Sequence, residues 1–182
     1  MWEWAIVAVI LVIIAIIVVL FNSLIVTRNR VRGAWAQIDV QLKRRSDLVP
    51  NLVETVKGYA KHEKGIFSQL AQARQAMSNA TSVKEKAMAS DIMSRTLKSL
   101  IAIAESNPQL RASENFQSLQ QELSDIEGKI AFSRQFYNDN VLAYNNAIQT
   151  VPGSLIAGPL GFKEQEYFEV SEGERTAPKV QF

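Results

Sequence analysis

The sequence predicts an all-α protein with a membrane-spanning N-terminus, on three observations. Residues 5–21, AIVAVILVIIAIIVVLF, contain neither a charge nor a polar side chain. Beyond them apolar residues recur at steps of three, four or seven, the period of helices that each bury one stripe. No stretch alternates apolar and polar for long enough to make a convincing strand. The expected fold class is a transmembrane helix followed by an antiparallel bundle of three to four long helices.

The anchor comes first. A spanning helix needs about 20 mostly apolar residues, and Trp2 and Trp4 on one side and Leu24, Ile25 and Val26 on the other extend the run. Tryptophans suit a headgroup belt, where an apolar ring and one N–H donor are both accommodated. A secretory signal needs a cationic start and a small-residue cleavage site. Here the start carries Glu3 with no Lys or Arg, and no Ala-x-Ala follows. A core helix of a soluble domain is disfavoured because the run is apolar all round. Residues 1–26 are therefore expected to be an uncleaved anchor. Only Glu3 precedes the run, whereas Arg28, Arg30, Arg32, Lys43, Arg44 and Arg45 follow it. Cations stay on the cytoplasmic side, so the short N-terminus is expected outside and the C-terminal part in the cytoplasm. The arginines at 28–32 read as contacts to anionic lipid headgroups.

The bundle is expected over 27–150. Its first apolar stripe runs through Val31, Trp35, Ile38, Leu42, Val49, Leu52, Val56, Tyr59, Ile66, Leu70, Ala73 and Met77. One unbroken helix would approach about 75 Å. A bend at 57–65 would let this segment supply two helices of four, since Gly58 and Gly65 each weaken a helix by about 1 kcal/mol relative to alanine. Poor helix formers at 78–82 end it. The second helix is expected over 83–105, with Met88, Ile92, Leu97, Leu100, Ile101 and Ala104 inward. Asn107 and Pro108 stop it. A third starts near Ser113, a suitable N-cap, and carries Phe116, Leu119, Leu123, Ile126, Ile130, Tyr137, Val141, Tyr144 and Ile148 to its end at TVPG. The tail, 151–182, reads as loop. Phe162, Tyr167 and Phe168 argue that its first half packs onto something, and from about Glu169 it reads as disordered.

Chemistry is sparse. With no cysteine and a single histidine, thiolate metal sites are excluded and His62, in a Lys-rich turn, reads as a solvated surface group. Gly153, Gly158 and Gly161 lack the Gly-Lys-Ser/Thr of a phosphate loop and read as a turn region. No nucleophile–base couple is visible. Lys43, Arg44 and Arg45 are offset by Asp39 and Asp47, and a net charge of +2 argues against nucleic acid as a partner. No catalytic, cofactor-binding or metal residue is assigned.

One stretch is unusual. In WAQIDVQLKRRSDLVPNLV, residues 35–53, the stripe keeps its phase on both sides of Pro50, which favours a kinked continuous helix over two helices. Arg45 falls inside that stripe. Either it snorkels to water at the bundle edge, or it is buried and paired, with Asp139 and Glu127 as candidate partners.

The segment RNRVRGAWAQIDVQLKRRSDLVPNLVETVKGYAKHE, residues 28–63, resembles the signature of the LemA family of bacterial membrane proteins. FYNDNVLAYNNAIQTVPGSLIAGPLGFKEQEYF, residues 136–168, resembles that family's second hallmark. Val151 departs from the pattern, which more often has an aromatic before Pro152. The resemblance implies a single-pass protein of the bacterial inner membrane with a cytoplasmic helical bundle, and implies no activity. The matching positions Trp35, Asp39, Arg45, Pro50, Asn51, Tyr137, Asn138, Tyr144, Asn145, Pro152, Gly161 and Phe162 are expected to be structural or interface residues. The function expected is a non-enzymatic scaffold or self-assembling module, or else a signalling or accessory subunit of a larger membrane complex. The partners expected are the lipid bilayer, further copies of the chain, docked through Gly161 and Phe162, and an unidentified membrane protein.

Overall fold

Lipid offers a backbone no hydrogen-bond partners, so a spanning segment must satisfy itself as a helix. In the computed structural model, which describes residues 2–59 and 64–169, the apolar run is the start of a 56-residue helix, α1 (Trp2–Lys57). Residues 2–19 are exposed on every side, and this helix is long and apolar enough to cross a membrane. From Leu24 onward one face is buried, through Val31, Ala34, Ile38, Leu42, Val49, Leu52 and Val56. The remaining elements are α2 (Lys64–Asn79), α3 (Val83–Glu105), α4 (Pro108–Arg111), α5 (Glu114–Gln149) and α6 (Gly153–Ala157). All six are helices, and no strand occurs among the described residues.

α1 passes through Pro50 without ending. Proline there removes the bond that Ser46 would otherwise accept, but Leu52 and Val56 continue the buried face. The helix ends at Lys57, next to Gly58, inside the stretch expected to bend. His62 lies outside the described residues, as do the tail residues after Glu169. Tyr59, expected in the stripe, is exposed.

α3 begins with a capping box. The Ser82 hydroxyl accepts the Glu85 N–H at 3.1 Å, and the Glu85 carboxylate accepts the Thr81 and Ser82 N–H groups at 2.8 and 3.1 Å. Those bonds, Thr81's first, hold the Glu85 carboxyl below its ordinary value. The buried face of α3 differs from expectation. Met88 and Ile92 are exposed, and Ala87, Ser90, Asp91, Met93 and Thr96 are buried beside Leu97, Leu100 and Ala104. Ser90 faces inward because it meets a buried cation, as described below.

Two short helices were not expected. At the Pro108 break the chain makes the extra turn α4, in which Asn107 accepts the Gln109 and Leu110 N–H groups at 3.1 and 3.3 Å. Proline fits the first position of a helix, where an N–H has no partner to lose. The second, α6, lies in the segment read as loop. α5 starts where expected, with the Ser113 hydroxyl accepting the Phe116 N–H at 3.4 Å.

The chain groups into two compact units: Met1–Gln37 with Gln135–Glu166, and Ile38–Arg134 with Tyr167–Phe182. In the second, side-chain bonds fix the helix directions. Asp39 pairs with Lys86, and Arg45 reaches Ser90 and Ser94, so this part of α1 and α3 run parallel. Arg45 also meets Glu127, while Thr55 accepts from Asn115, so α5 runs opposite to α1. The short link between α2 and α3 makes those two antiparallel neighbours. The result is an up-down-up-down arrangement.

Arg45 holds its centre. Its side chain is 0% exposed, and the snorkelling alternative is corrected. Nη1 donates to Glu127 Oε1 at 2.9 Å and to Ser94 Oγ at 2.6 Å; Nη2 donates to Ser90 Oγ at 2.7 Å and to the Ser90 carbonyl at 3.2 Å. Glu127 is the carboxylate partner, and its side chain is 35% exposed. A charge buried without its counter-ion costs more than one left at the surface. Glu127→Ala, which strands the guanidinium, is expected to cost about 2 kcal/mol. Arg45→Met leaves Glu127 access to water and is expected to cost less. Thermal melts of the detergent-solubilised variants check this order.

Candidate functional site

An extended backbone with no strand beside it must find other partners for its N–H and C=O groups. Residues 162–166 are such a segment, and within the first unit α5 supplies the partners from three side chains. Tyr137 Oη donates to the Glu166 carbonyl at 2.8 Å, and Tyr144 Oη to the Lys163 carbonyl at 3.0 Å. Asn145 binds Gln165 in both directions: its Nδ2 donates to the Gln165 carbonyl at 3.0 Å and its Oδ1 accepts the Gln165 N–H at 2.9 Å. The Asn145 amide does what a neighbouring strand would do.

The spacing explains why this works. Tyr137 and Tyr144 are seven residues apart, two helical turns, so both project from one face about 10 Å apart. The carbonyls they grip are three residues apart in extended chain, which also spans about 10 Å. Val141 and Ile148 on the same face are buried, and Trp35 packs on the Tyr137 ring at 5.5 Å between centroids. Gln149 donates to the Glu164 carboxylate at 2.8 Å at the rim.

Between α5 and this strap the chain turns sharply. The Val151–Pro152 peptide is cis, and α6 follows. The turn closes with the Phe162 N–H on the Ala157 carbonyl at 2.9 Å and the Gly161 N–H on the Gly158 carbonyl at 3.1 Å. That paired closure needs one left-handed residue, and Gly161 takes it with φ +73°. Gly153 is required for another reason. A Cβ there would lie 1.9 Å from the Ala147 carbonyl oxygen, an overlap that only main-chain movement relieves. Phe162, freed to turn inward, packs edge-on against Phe21 at 5.8 Å and 71°, with the Arg28 guanidinium 5.2 Å from its centroid.

Burial sets the electrostatics. The Tyr137 phenol is pushed up to about 12, by burial first and by the Glu166 carboxylate second. Burial also raises Tyr144, against the pull of Arg28 and Arg32. Both hydroxyls stay protonated at neutral pH and can donate.

Of the residues expected to matter, Trp35, Tyr137, Tyr144, Asn145, Gly161 and Phe162 come together in this clasp. Asn138 is half-buried on α5, and Pro152 forms the turn. Asp39, Arg45, Pro50 and Asn51 belong to the other unit. There Asp39 pairs with Lys86, and Asn51 is exposed. An open depression of about 570 Å³ lies beside Asp39, lined also by Lys43, Asp47 and Arg74. The expectation that Gly161 and Phe162 dock on a neighbouring subunit meets a Phe162 ring already buried in its own chain. Sequence reasoning missed Phe21 and Gly153, and read Arg28 only as a headgroup contact. No local pattern distinguishes those residues from an anchor, a turn and a flanking cation.

The fold and the clasp define a membrane-associated, all-α protein whose chain returns from the foot of its apolar helix as a strap along α5. The chain belongs to the LemA family, whose family model matches residues 34–182. It is 25% identical over 174 residues to the magnetosome protein MamQ of Magnetospirillum gryphiswaldense, an alignment covering 81% of this chain. That alignment spans 64% of the relative, less than two thirds of its length. It is also 24% identical over 155 residues to the protein LemA of Metamycoplasma hominis, covering 85% of this chain and 71% of the relative.

Two predictions follow the clasp. Asn145→Ala removes both bonds to Gln165 and is expected to cost about 2 kcal/mol, read as faster amide exchange at residues 163–166. The second concerns pH. An unfolded tyrosine ionises near 10, and folded Tyr137 at about 12. The neutral phenol therefore stabilises the fold fully below about pH 10, and that contribution is lost as pH rises from about 10 to about 12. Ultraviolet titration should show the latest tyrosinate transition disappear in Tyr137→Phe, while the delayed transition of Tyr144 remains.

Proposed function

We propose that this chain is a non-enzymatic, membrane-anchored helical scaffold that assembles with further copies of itself at the cytoplasmic face of the bacterial inner membrane. The observation that carries this reading is α1 itself. Its first turns are apolar and uncovered by any described part of the chain, and the same helix then acquires a one-sided buried stripe. The first stretch suits lipid and the second suits packing against helices. The cations at 28, 30, 32, 43 and 44, against Glu3 alone before the run, support an orientation with the short N-terminus outside and one pass through the bilayer.

Self-assembly draws support from the surface of the second unit. Met88 and Ile92 stand one turn apart on α3 and are exposed, as are Val40 on α1 and Phe132 on α5. Apolar side chains aligned on a helix gain from a partner helix.

The test is the particle size in membrane extracted directly into polymer-bounded discs. A mass that is a multiple of 20.3 kDa plus lipid is expected, with cross-links from residues 43–47 joining copies of this chain. Monomer-sized particles, with cross-links reaching one different membrane protein, would replace the scaffold with an accessory subunit of a larger complex.

A further inference from the structure

The strap brings a second apolar element to the membrane. From Trp4 to Leu24 is twenty residues of helix, about 30 Å, which matches the hydrocarbon thickness of a bilayer. Phe21 and Leu24 therefore mark the level at which the anchor leaves the hydrocarbon core. The α6 turn is fastened near that level. Phe162 packs on Phe21 at 5.8 Å, and Gly153 lies close to Leu24, whose Cδ2 would be 3.9 Å from a Cβ added there.

The turn, VPGSLIAGPLGF over 151–162, contains no charged side chain. Three of its large apolar groups point away from the rest of the chain: Val151 is 76% exposed, Leu155 69% and Leu160 49%. Much of its backbone is already provided for. The N–H groups of Ser154, Leu155, Leu160, Gly161 and Phe162 all donate to carbonyls of the same turn region, and Pro152 and Pro159 have none to satisfy. Leaving water thus strands fewer donors than an open loop would, which favours an interfacial element. Arg30 and Arg32, exposed on α1 just past the same level, supply cations for anionic headgroups.

We propose that the α6 turn is an interfacial wedge, inserting Val151, Leu155 and Leu160 into the leaflet from which the anchor emerges. This rests on residues 2–26 being a spanning anchor, and the experiment separates the two. The chain has no cysteine, so Leu155→Cys, Leu160→Cys, Val12→Cys and Lys98→Cys each carry a single environment-sensitive fluorophore. The full chain is reconstituted into phosphatidylcholine–phosphatidylglycerol vesicles containing lipids spin-labelled near the headgroup or deep in the acyl chain.

The labels at 155 and 160 are expected to emit to the blue of the label at 98. Shallow spin labels should roughly halve their emission, and deep ones should quench only the label at 12. If 155 and 160 behave like 98 while 12 is quenched, the wedge is wrong and the anchor stands. Blue-shifted emission at 155 without lipid quenching means that protein covers the turn, and overturns the proposal in favour of a second copy. No quenching at 12 removes the anchor reading, and the wedge with it.

Discussion

Asn145 faces a problem that most helix residues do not. The chain beyond Phe162 lies extended along α5, and its backbone groups have no sister strand. One carboxamide offers a donor and an acceptor in a fixed plane, and both are used on Gln165. Tyr137 and Tyr144 complete the set, because two helical turns and three extended residues have nearly the same length. With those bonds made, the strap holds Gly161 at the turn and Phe162 under Arg28, against Phe21. The first unit's arrangement, from the foot of the apolar helix to the end of α5, depends on this side-chain substitute for a strand.

The second unit is organised by a charge. Arg45 sits where the stripe calls for an apolar residue, and the neighbours adapt to it. Ser90 and Ser94 replace the apolar groups that α3 would otherwise turn inward, and Glu127 supplies the counter-charge from α5. Hydrogen bonds of fixed geometry accept fewer arrangements than an oily contact does. The cation thus sets how α1, α3 and α5 slide past one another, a registering role that buried ionic groups can serve.

Much of this was legible in the sequence. The long apolar helix, the continuity through Pro50, the breaks at 57–65, 78–82 and 108, and the start of α5 all follow from local propensity and phase. On α5 every apolar position expected inward, from Phe116 to Ile148, is buried. The inward face of α3 was read rightly at Leu97, Leu100 and Ala104 and wrongly in its first half, where Met88 and Ile92 have the right period but the wrong side. Periodicity fixes that a stripe exists; when small and polar residues line the true face, it does not say which stripe is inside. The short helices α4 and α6 were missed because a four- or five-residue turn carries no period at all.

The sequence by itself determined what each segment is made to do. Its apolar run suits a membrane, its stripes demand helix partners, and an arginine in a stripe demands a counter-ion. These are demands of composition and spacing, satisfied along a single helix or strap. Which residue answers each demand was decided only by the tertiary structure. Glu127 rather than Asp139 meets Arg45, and Phe162 packs on Phe21, 141 residues away in the chain. Such choices join residues far apart in the chain, and spacing along a sequence carries no information about distance across a fold.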